Sequence, residues 1–203
     1  KDFEGKTYAG WGAPSEEAVI KAVMNEAGAD FSKLNIVGSD GSGIAGLSDE
    51  VGKNKVNLGW EFYGWAIIKA LQDGYDLNYM PLADLDSRLD YYTPVIITNN
   101  KMIKKNSDTI KKFMEATKKG YEYAIDHPSK AAEILHDDAL TDTDLKSLKE
   151  SQKYLSSQYA KDADSWGVMK DSVWDNYTDF MYETGLIDHK IDAKDQYTNE
   201  FVK

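Results

Sequence analysis

Gly5-Lys6-Thr7-Tyr8-Ala9-Gly10-Trp11-Gly12-Ala13-Pro14-Ser15-Glu16-Glu17-Ala18 is the stretch on which the reading of the fold turns. Lys6 to Ala9 has the content of a short strand, and the glycines and Pro14 close it. Ser15 stands where a helix N-cap belongs, and Glu16 and Glu17 put negative charge at the positive end of the helix dipole. Val19, Ala22, Val23 and Ala27 follow at helical spacing, and Gly28 supplies the stop. Leu34-Asn35-Ile36-Val37 reads as a second strand. Strand, helix, strand in succession predicts an α/β first half.

Working outward, the alternation continues. Val56 to Tyr63 places Val56, Leu58, Trp60 and Phe62 on one strand face and Asn57, Gly59, Glu61 and Tyr63 on the other. Trp65 to Gln72 reads as a short helix. Tyr75 to Leu82 and Tyr92 to Thr98 are further strand candidates, with Pro94 pointing to an edge or a crossing segment. Beyond Asn99 the pattern is helical alone. Ser107 caps a long helix striped by Ile110, Phe113, Met114, Thr117, Tyr121, Ala124 and Ile125. A second helix opens at Pro128 with Ala131, Ala132 and Leu135 inward. Leu145, Leu148, Gln152 and Leu155 mark a third, and Val173, Trp174, Tyr177, Phe180 and Met181 a fourth. Two regions result: an α/β part over residues 1–90 and a crossing strand with helices over 91–203. Helix stripes need burial, so these helices either form a bundle or cover a sheet whose strands lie elsewhere.

Composition narrows the function. The 203 residues carry 24 basic and 35 acidic side chains, a net charge of −11. That balance argues against a nucleic-acid partner, whose backbone calls for clustered Lys and Arg. No apolar run approaches the ~20 residues of a membrane span. The absence of cysteine excludes disulfide scaffolds, thiolate metal sites and Cys nucleophiles. His127, His136 and His189 lack metal-ligand spacing, and the acidic runs at Asp84-Leu85-Asp86 and 137–144 lack the glycine and terminal Glu of a calcium loop. No metal and no cofactor is expected. Nucleophile-elbow, Walker and zincin patterns are absent as well, so catalysis finds little support.

One enzymatic lead competes. Gly41-Ser42-Gly43-Ile44-Ala45-Gly46 matches G-x-G-x-x-G after an expected strand, with Glu61 about 20 residues on. A dinucleotide site needs a crossover helix, and only about two turns fit before Gly52. A plain glycine loop is the simpler account. The aromatics say more. Trp11 lies between glycines ahead of a helix, and Tyr63 and Trp65 flank Gly64 at a strand-to-helix junction. Open α/β sheets bind ligands at such junctions, where a flat ring is well placed to stack on a planar ligand. Trp60 belongs to the apolar face instead.

The opening stretch resembles the start of the second lobe in the NMT1/ThiY-like family. Phe62-Tyr63-Gly64-Trp65, Tyr91-Tyr92-Thr93-Pro94-Val95-Ile96-Ile97-Thr98 and Tyr123-Ala124-Ile125-Asp126-His127-Pro128 resemble further family blocks, as do Ser165-Trp166-Gly167-Val168 and Thr198-Asn199-Glu200-Phe201. The resemblance is collinear from Asp2 to the C-terminus. It implies a type II periplasmic-binding-protein fold, with one complete α/β lobe and the mainly helical C-terminal part of the other. The remaining strands of that lobe and an export signal would then lie in an N-terminal segment outside this chain.

What the resemblance implies for function is a non-enzymatic, extracytoplasmic solute-binding component of an ABC importer, periplasmic or a cell-surface lipoprotein. Its ligand would be a thiamine pyrimidine precursor, captured by stacking and hydrogen bonds and delivered to the permease. Trp11, Gly12, Ser15, Glu16, Glu61, Tyr63, Trp65 and Tyr92 are the expected ligand-binding residues, with Tyr63 stacking on the pyrimidine. Family members often have an acidic residue after the Gly-Trp pair; here that position is Ala66, and Glu61 is the candidate substitute. This departure leaves room for another planar heterocycle, such as a riboflavin precursor. The cysteine-rich motif of related fungal pyrimidine-synthesising enzymes has no counterpart here. Without the missing strands, residues 99–203 are expected to expose apolar helix faces unless self-association covers them.

Overall fold

Tyr8 is the residue around which the first unit is built. A computed structural model describes residues 1–39, 43–44, 56–161, 163 and 165–202. In it, β1 (Thr7–Gly10) is the middle strand of a three-stranded parallel sheet. β2 (Asn35–Gly38) lies on one side, with Tyr8 opposite Ile36, and β3 (Leu58–Gly59) on the other, with Tyr8 opposite Leu58. Because β1 alternates half-buried and buried residues, Tyr8 and Gly10 share the inward face. The Tyr8 ring packs with Ile20, Met24, Ala29 and Leu34, against which Leu58 and Trp60 also lean.

Helix α1 (Pro14–Glu26) buries the face carrying Val19, Ile20, Val23 and Met24. Its first residue is Pro14, whose missing N–H costs nothing there, and the N-cap is Ala13 without a side-chain bond. Ser15 is therefore the second residue of the helix, two positions further in than the capping reading places it. A second cluster joins Val19 and Val23 to Leu89 and to Phe180, which is fully buried. Arg88 is held by Asp86 and Glu183 and lies over the Phe180 ring, 5.4 Å from its centre. Burying an aromatic beside a paired guanidinium explains how residues 176–190 belong to this unit.

The division of the chain reflects that packing. One compact unit comprises residues 1–90 with 176–190, and the other residues 91–175 with 191–203. One break between the units falls after Asp90, and residues 176–190 group with the first unit.

Three other expectations need correction. The long strand expected over Val56 to Tyr63 shrinks to Leu58–Gly59, because a π-helical turn starts at Tyr63 and runs to Ile67 before α2 (Ile68–Gln72). The Phe62 carbonyl accepts the N–H groups of Trp65, Ala66 and Ile67, and this turn swings Phe62 off the apolar face to 65% exposure. Residues 75–80 form no strand, and Leu82–Leu85 is the short helix α3. Tyr92 to Thr98 likewise adopts no strand among the described residues; its Thr93–Pro94 peptide is cis.

The second unit is helical. It contains α4 (Asn100–Lys105), α5 (Ser107–Asp126), α6 (Pro128–Asp138), α7 (Leu145–Ser156), the start of α8 (Asp171–Glu183) and α9 (Ala193–Gln196). Asn99 caps α4 by accepting the Met102 N–H, whereas α5 is preceded by Asn106 and Ser107 is its first residue. Helices α5, α6 and α7 pack pairwise. Ala132 and Leu148 are buried between them, yet α5 has no buried residue along its whole length. Its expected stripe is accordingly only half covered, with Phe113 outside. No helix among the described residues is long and apolar enough to cross a membrane.

Candidate functional site

Parallel strands put all their carboxyl ends at one edge, and the order β2-β1-β3 makes β1 and β3 diverge toward connections of opposite sense. Ligands of open α/β sheets bind in the crevice outside such a switch point. Here the first residue past β1 is Trp11 and the first past β3 is Trp60, and their ring centres lie 5.5 Å apart with planes tilted by 54°. Trp60 packs against two of the core clusters of the unit. Trp11 leans on it while keeping 57% of its surface exposed. A ring propped from one side by the core and open on the other is built for contact.

The loop beneath Trp11 is held from α1. Glu16, only 3% exposed, turns back from the first helical turn instead of pointing to solvent as its neighbour Glu17 does. One of its oxygens, Oε2, accepts the N–H groups of both Trp11 and Gly12 at 3.1 Å. The other, Oε1, accepts the Tyr8 hydroxyl. Burial and this bond push the Tyr8 phenol well above its usual range. Gly10 leaves no room for anything else: a Cβ there would stand 2.6 Å from Glu16 Oε1 and 2.7 Å from the Tyr8 ring. Gly12 has φ +79°, the left-handed region that favours glycine. Ser15 lies exposed in the turn that follows.

On the β3 side, Glu61 is partly buried, and burial raises its carboxyl above the usual range. It approaches Gly43, whose Cβ position would be 3.6 Å from Glu61 Oε1, and its charge is felt by Tyr8. Of the glycine motif at 41–46, only Gly43 and Ile44 lie within the described residues. Tyr63 is half-buried: it packs against the Ile44, Ile67 and Ala70 cluster and meets Tyr79 at 4.8 Å between ring centres. Ala66 packs against the same cluster. Trp65, in the π-helical turn, is 55% exposed. Turns of this kind recur at functional sites because they displace side chains from the regular helical positions.

Trp11, Gly12, Ser15, Glu16, Glu61, Tyr63 and Trp65 thus all belong to the first unit and to the chain segments leaving β1 and β3. Tyr92 belongs to the second unit. Its hydroxyl accepts the Lys170 N–H at 3.0 Å, and its ring lies 6.3 Å from that of Trp174. Sequence reasoning missed Tyr8, the anchor of the loop, and Phe62, the most exposed ring at the edge. Tyr8 had a signal in its spacing, two residues before Gly10 on the same strand face. Phe62 had none, because the π-helical turn breaks the period on which it was placed. Among the described residues no group of three or more His, Asp or Glu side chains is arranged to hold a metal ion.

Comparison with known proteins agrees with this architecture. Over 138 residues the chain is 25% identical to the formylaminopyrimidine-binding protein of Halalkalibacterium halodurans, a match covering 66% of this chain and 39% of that protein. The chain therefore spans well under half the length of that curated relative. Residues 1–131, which contain β1 to β3, α1 and the whole of the edge described above, match the family described as NMT1/THI5 like. The chain belongs to the NMT1/THI5-like family.

Proposed function

We propose that this chain is part of the solute-binding protein of an ABC importer and captures an aminopyrimidine, of the formylaminopyrimidine or hydroxymethylpyrimidine type, at the carboxyl edge of β1 and β3. The observation that carries the reading is Trp11: an exposed indole on a backbone fixed by a buried carboxylate, in a family with a relative named for binding formylaminopyrimidine. The arrangement has the makings of capture without bond chemistry. Trp11 and Trp65 supply flat faces, and Glu61 supplies a carboxylate that accepts the exocyclic N–H groups of the ligand. Tyr63, expected to be the stacking ring, is engaged by its cluster and by Tyr79. The two compact units correspond to lobes of a type II binding fold, located outside the cytoplasm, and the permease of the same importer receives the ligand.

Calorimetric titration with formylaminopyrimidine tests this, followed in parallel by tryptophan fluorescence. Saturable heat with quenching is the expected result, with the quench lost and the affinity weakened but still measurable in Trp11→Ala. Absence of both signals from a folded protein at millimolar ligand refutes the reading.

A second reading has its own observation. Ala66, at the position where family members often carry an acid, is packed on an apolar cluster. Recognition there is by shape, which suits a larger planar heterocycle such as a riboflavin precursor. Titration with riboflavin alongside the pyrimidine separates the two.

A further inference from the structure

We propose that Glu16 is a positioning residue and not a ligand contact: its buried carboxylate ties the Trp11–Gly12 backbone to Tyr8 and thereby sets the direction in which the Trp11 ring leaves the sheet. The proposal rests on the reading of Trp11 as the stacking ring, and it changes what Glu16 does there.

A glutamate in the first turn of a helix ordinarily faces water and interacts with the helix dipole. Glu17 does so; Glu16 does not. Its side chain is folded over Gly10 into the space between the sheet and the loop, where three donors converge on two oxygens. With Oε2 shared by two backbone N–H groups and Oε1 taken by a phenol, little of the carboxylate is left for a solute. Charge-assisted bonds of this kind are the stronger class, and the two on Oε2 act on adjacent peptides, so they fix the orientation of the plane between Trp11 and Gly12. Tyr8 makes the tie rigid. Its ring lies in the core beside Ile20, Met24 and Leu34, so the carboxylate connects the buried core of the unit to an exposed loop.

Each neighbouring residue then has a reason. Gly10 admits the carboxylate because it has no Cβ. Gly12 turns the chain at φ +79° so that its N–H points back at the same oxygen as that of Trp11. Trp60 limits how far the freed ring can fall on one side. Without the tie, the loop would have to be ordered at the moment of binding, and that cost appears as lost affinity.

The experiment uses the whole chain with four variants, Glu16→Gln, Tyr8→Phe, Trp11→Ala and the Glu16→Gln/Trp11→Ala pair, and formylaminopyrimidine as the probe. Before any ligand is added, amide hydrogen exchange is read at Trp11 and Gly12. Glu16→Gln, which keeps one acceptor oxygen but loses the charge that strengthens its bonds and the second oxygen that accepts the Tyr8 hydroxyl, is expected to speed exchange at those two amides severalfold while α1 stays protected. Tyr8→Phe, which removes one hydroxyl and keeps the ring in place, is expected to speed it severalfold. Unchanged exchange in either variant overturns the proposal, and Tyr8→Phe serves if Glu16→Gln does not fold.

Binding then distinguishes positioning from contact. Glu16→Gln is expected to weaken the probe about tenfold in the wild-type background and not at all in the Trp11→Ala background, since its effect passes through that ring. An equal loss in both backgrounds makes Glu16 a direct ligand contact and overturns the proposal. If Trp11→Ala itself leaves binding intact, the stacking reading fails, while the exchange data still report whether the tie exists.

Discussion

Each unit of this protein holds tryptophans, and the two units use them in opposite ways. In the helical unit, Trp166 is stacked on Tyr121 at 4.4 Å with planes 21° apart, and Trp174 on Tyr197 at 5.5 Å and 6°. The partner ring and nearby backbone of the second stack are held by polar ties: the Tyr197 hydroxyl donates to Asp171 at 2.6 Å, and the Asn199 side chain both donates to the Met169 carbonyl and accepts its N–H. In the α/β unit the polar ties go to the backbone and the ring is left open. Three donors meet Glu16, yet the indole of Trp11 stays more than half exposed. Where bonds secure the ring, the ring is structural. Where they secure only the peptide beneath it, the ring is available.

Substitutions that exchange the two uses give the sharpest tests. Gly10→Ala has the largest expected effect. Its methyl would meet a carboxylate pinned by three donors and a buried ring that cannot retreat. Overpacking with loss of the tie is expected to cost about 3 kcal/mol. In a chain of this size that lowers Tm by roughly 10 °C, readable in a thermal melt. A shift within the error of the melt would mean that the loop is not held as described. Next is the pair Trp174→Ala and Trp11→Ala. The first removes a ring lodged between Tyr92 and Tyr197 and is expected to cost about 2 kcal/mol. The second removes an exposed ring and is expected to cost about 0.5 kcal/mol or less, with its consequence falling on binding instead. Equal costs in denaturant titrations would erase the distinction between the units.

How much of this was legible in the sequence follows from where the information lies. Strand, helix and strand across residues 7–38 emerge within a residue or so of their expected bounds, because glycines, Pro14 and a helical apolar period all act locally. Strands that exist only through a partner were not legible. Val56 to Tyr63 alternates well yet pairs over two residues, and Tyr92 to Thr98 has high β propensity with no strand formed among the described residues. Trp11 lies between two glycines and Trp65 follows Gly64 at a strand-to-helix junction, and these neighbours are why both read as open rings. The inward turn of Glu16 was not, since the dipole rule predicts an exposed acid at that position. Only the absence of a side chain at Gly10, seen together with Tyr8, reveals the space it occupies.

Alkaline titration compares the units through a property they share. Burial and Asp171 push the Tyr197 phenol up to about 12, and Tyr8 is also held above the usual 10.0. Both groups bind their proton more firmly in the folded than in the unfolded chain. Their contribution is complete below pH 10 and is lost as pH rises through the folded-state values. Tm is therefore expected to hold up to about pH 10 and then to fall toward pH 12. Tyr197→Phe and Tyr8→Phe should each flatten that fall from about pH 10 upward. A fall beginning well below pH 10 in the wild type would show that these phenols do not govern it.

Glu61 carries the smallest expected effect on stability and separates folding from binding at one residue. Burial raises its carboxyl above the usual range, and among the described residues no cation pairs with it. A raised carboxyl adds most to stability at low pH, and its contribution declines as pH climbs past the usual value near 4.5. At neutral pH the ligand-free protein therefore holds a partly desolvated charge, which an amide would not. Glu61→Gln is expected to stabilise the free chain by about 0.5 kcal/mol at pH 7, a small gain because water still reaches the side chain. At pH 4 the gain should vanish. The same substitution removes an acceptor for exocyclic N–H groups and is expected to weaken formylaminopyrimidine about tenfold, the loss of one charge-assisted bond. A variant that loses stability and keeps its affinity would make Glu61 a purely structural residue, leaving recognition to the aromatic rings alone.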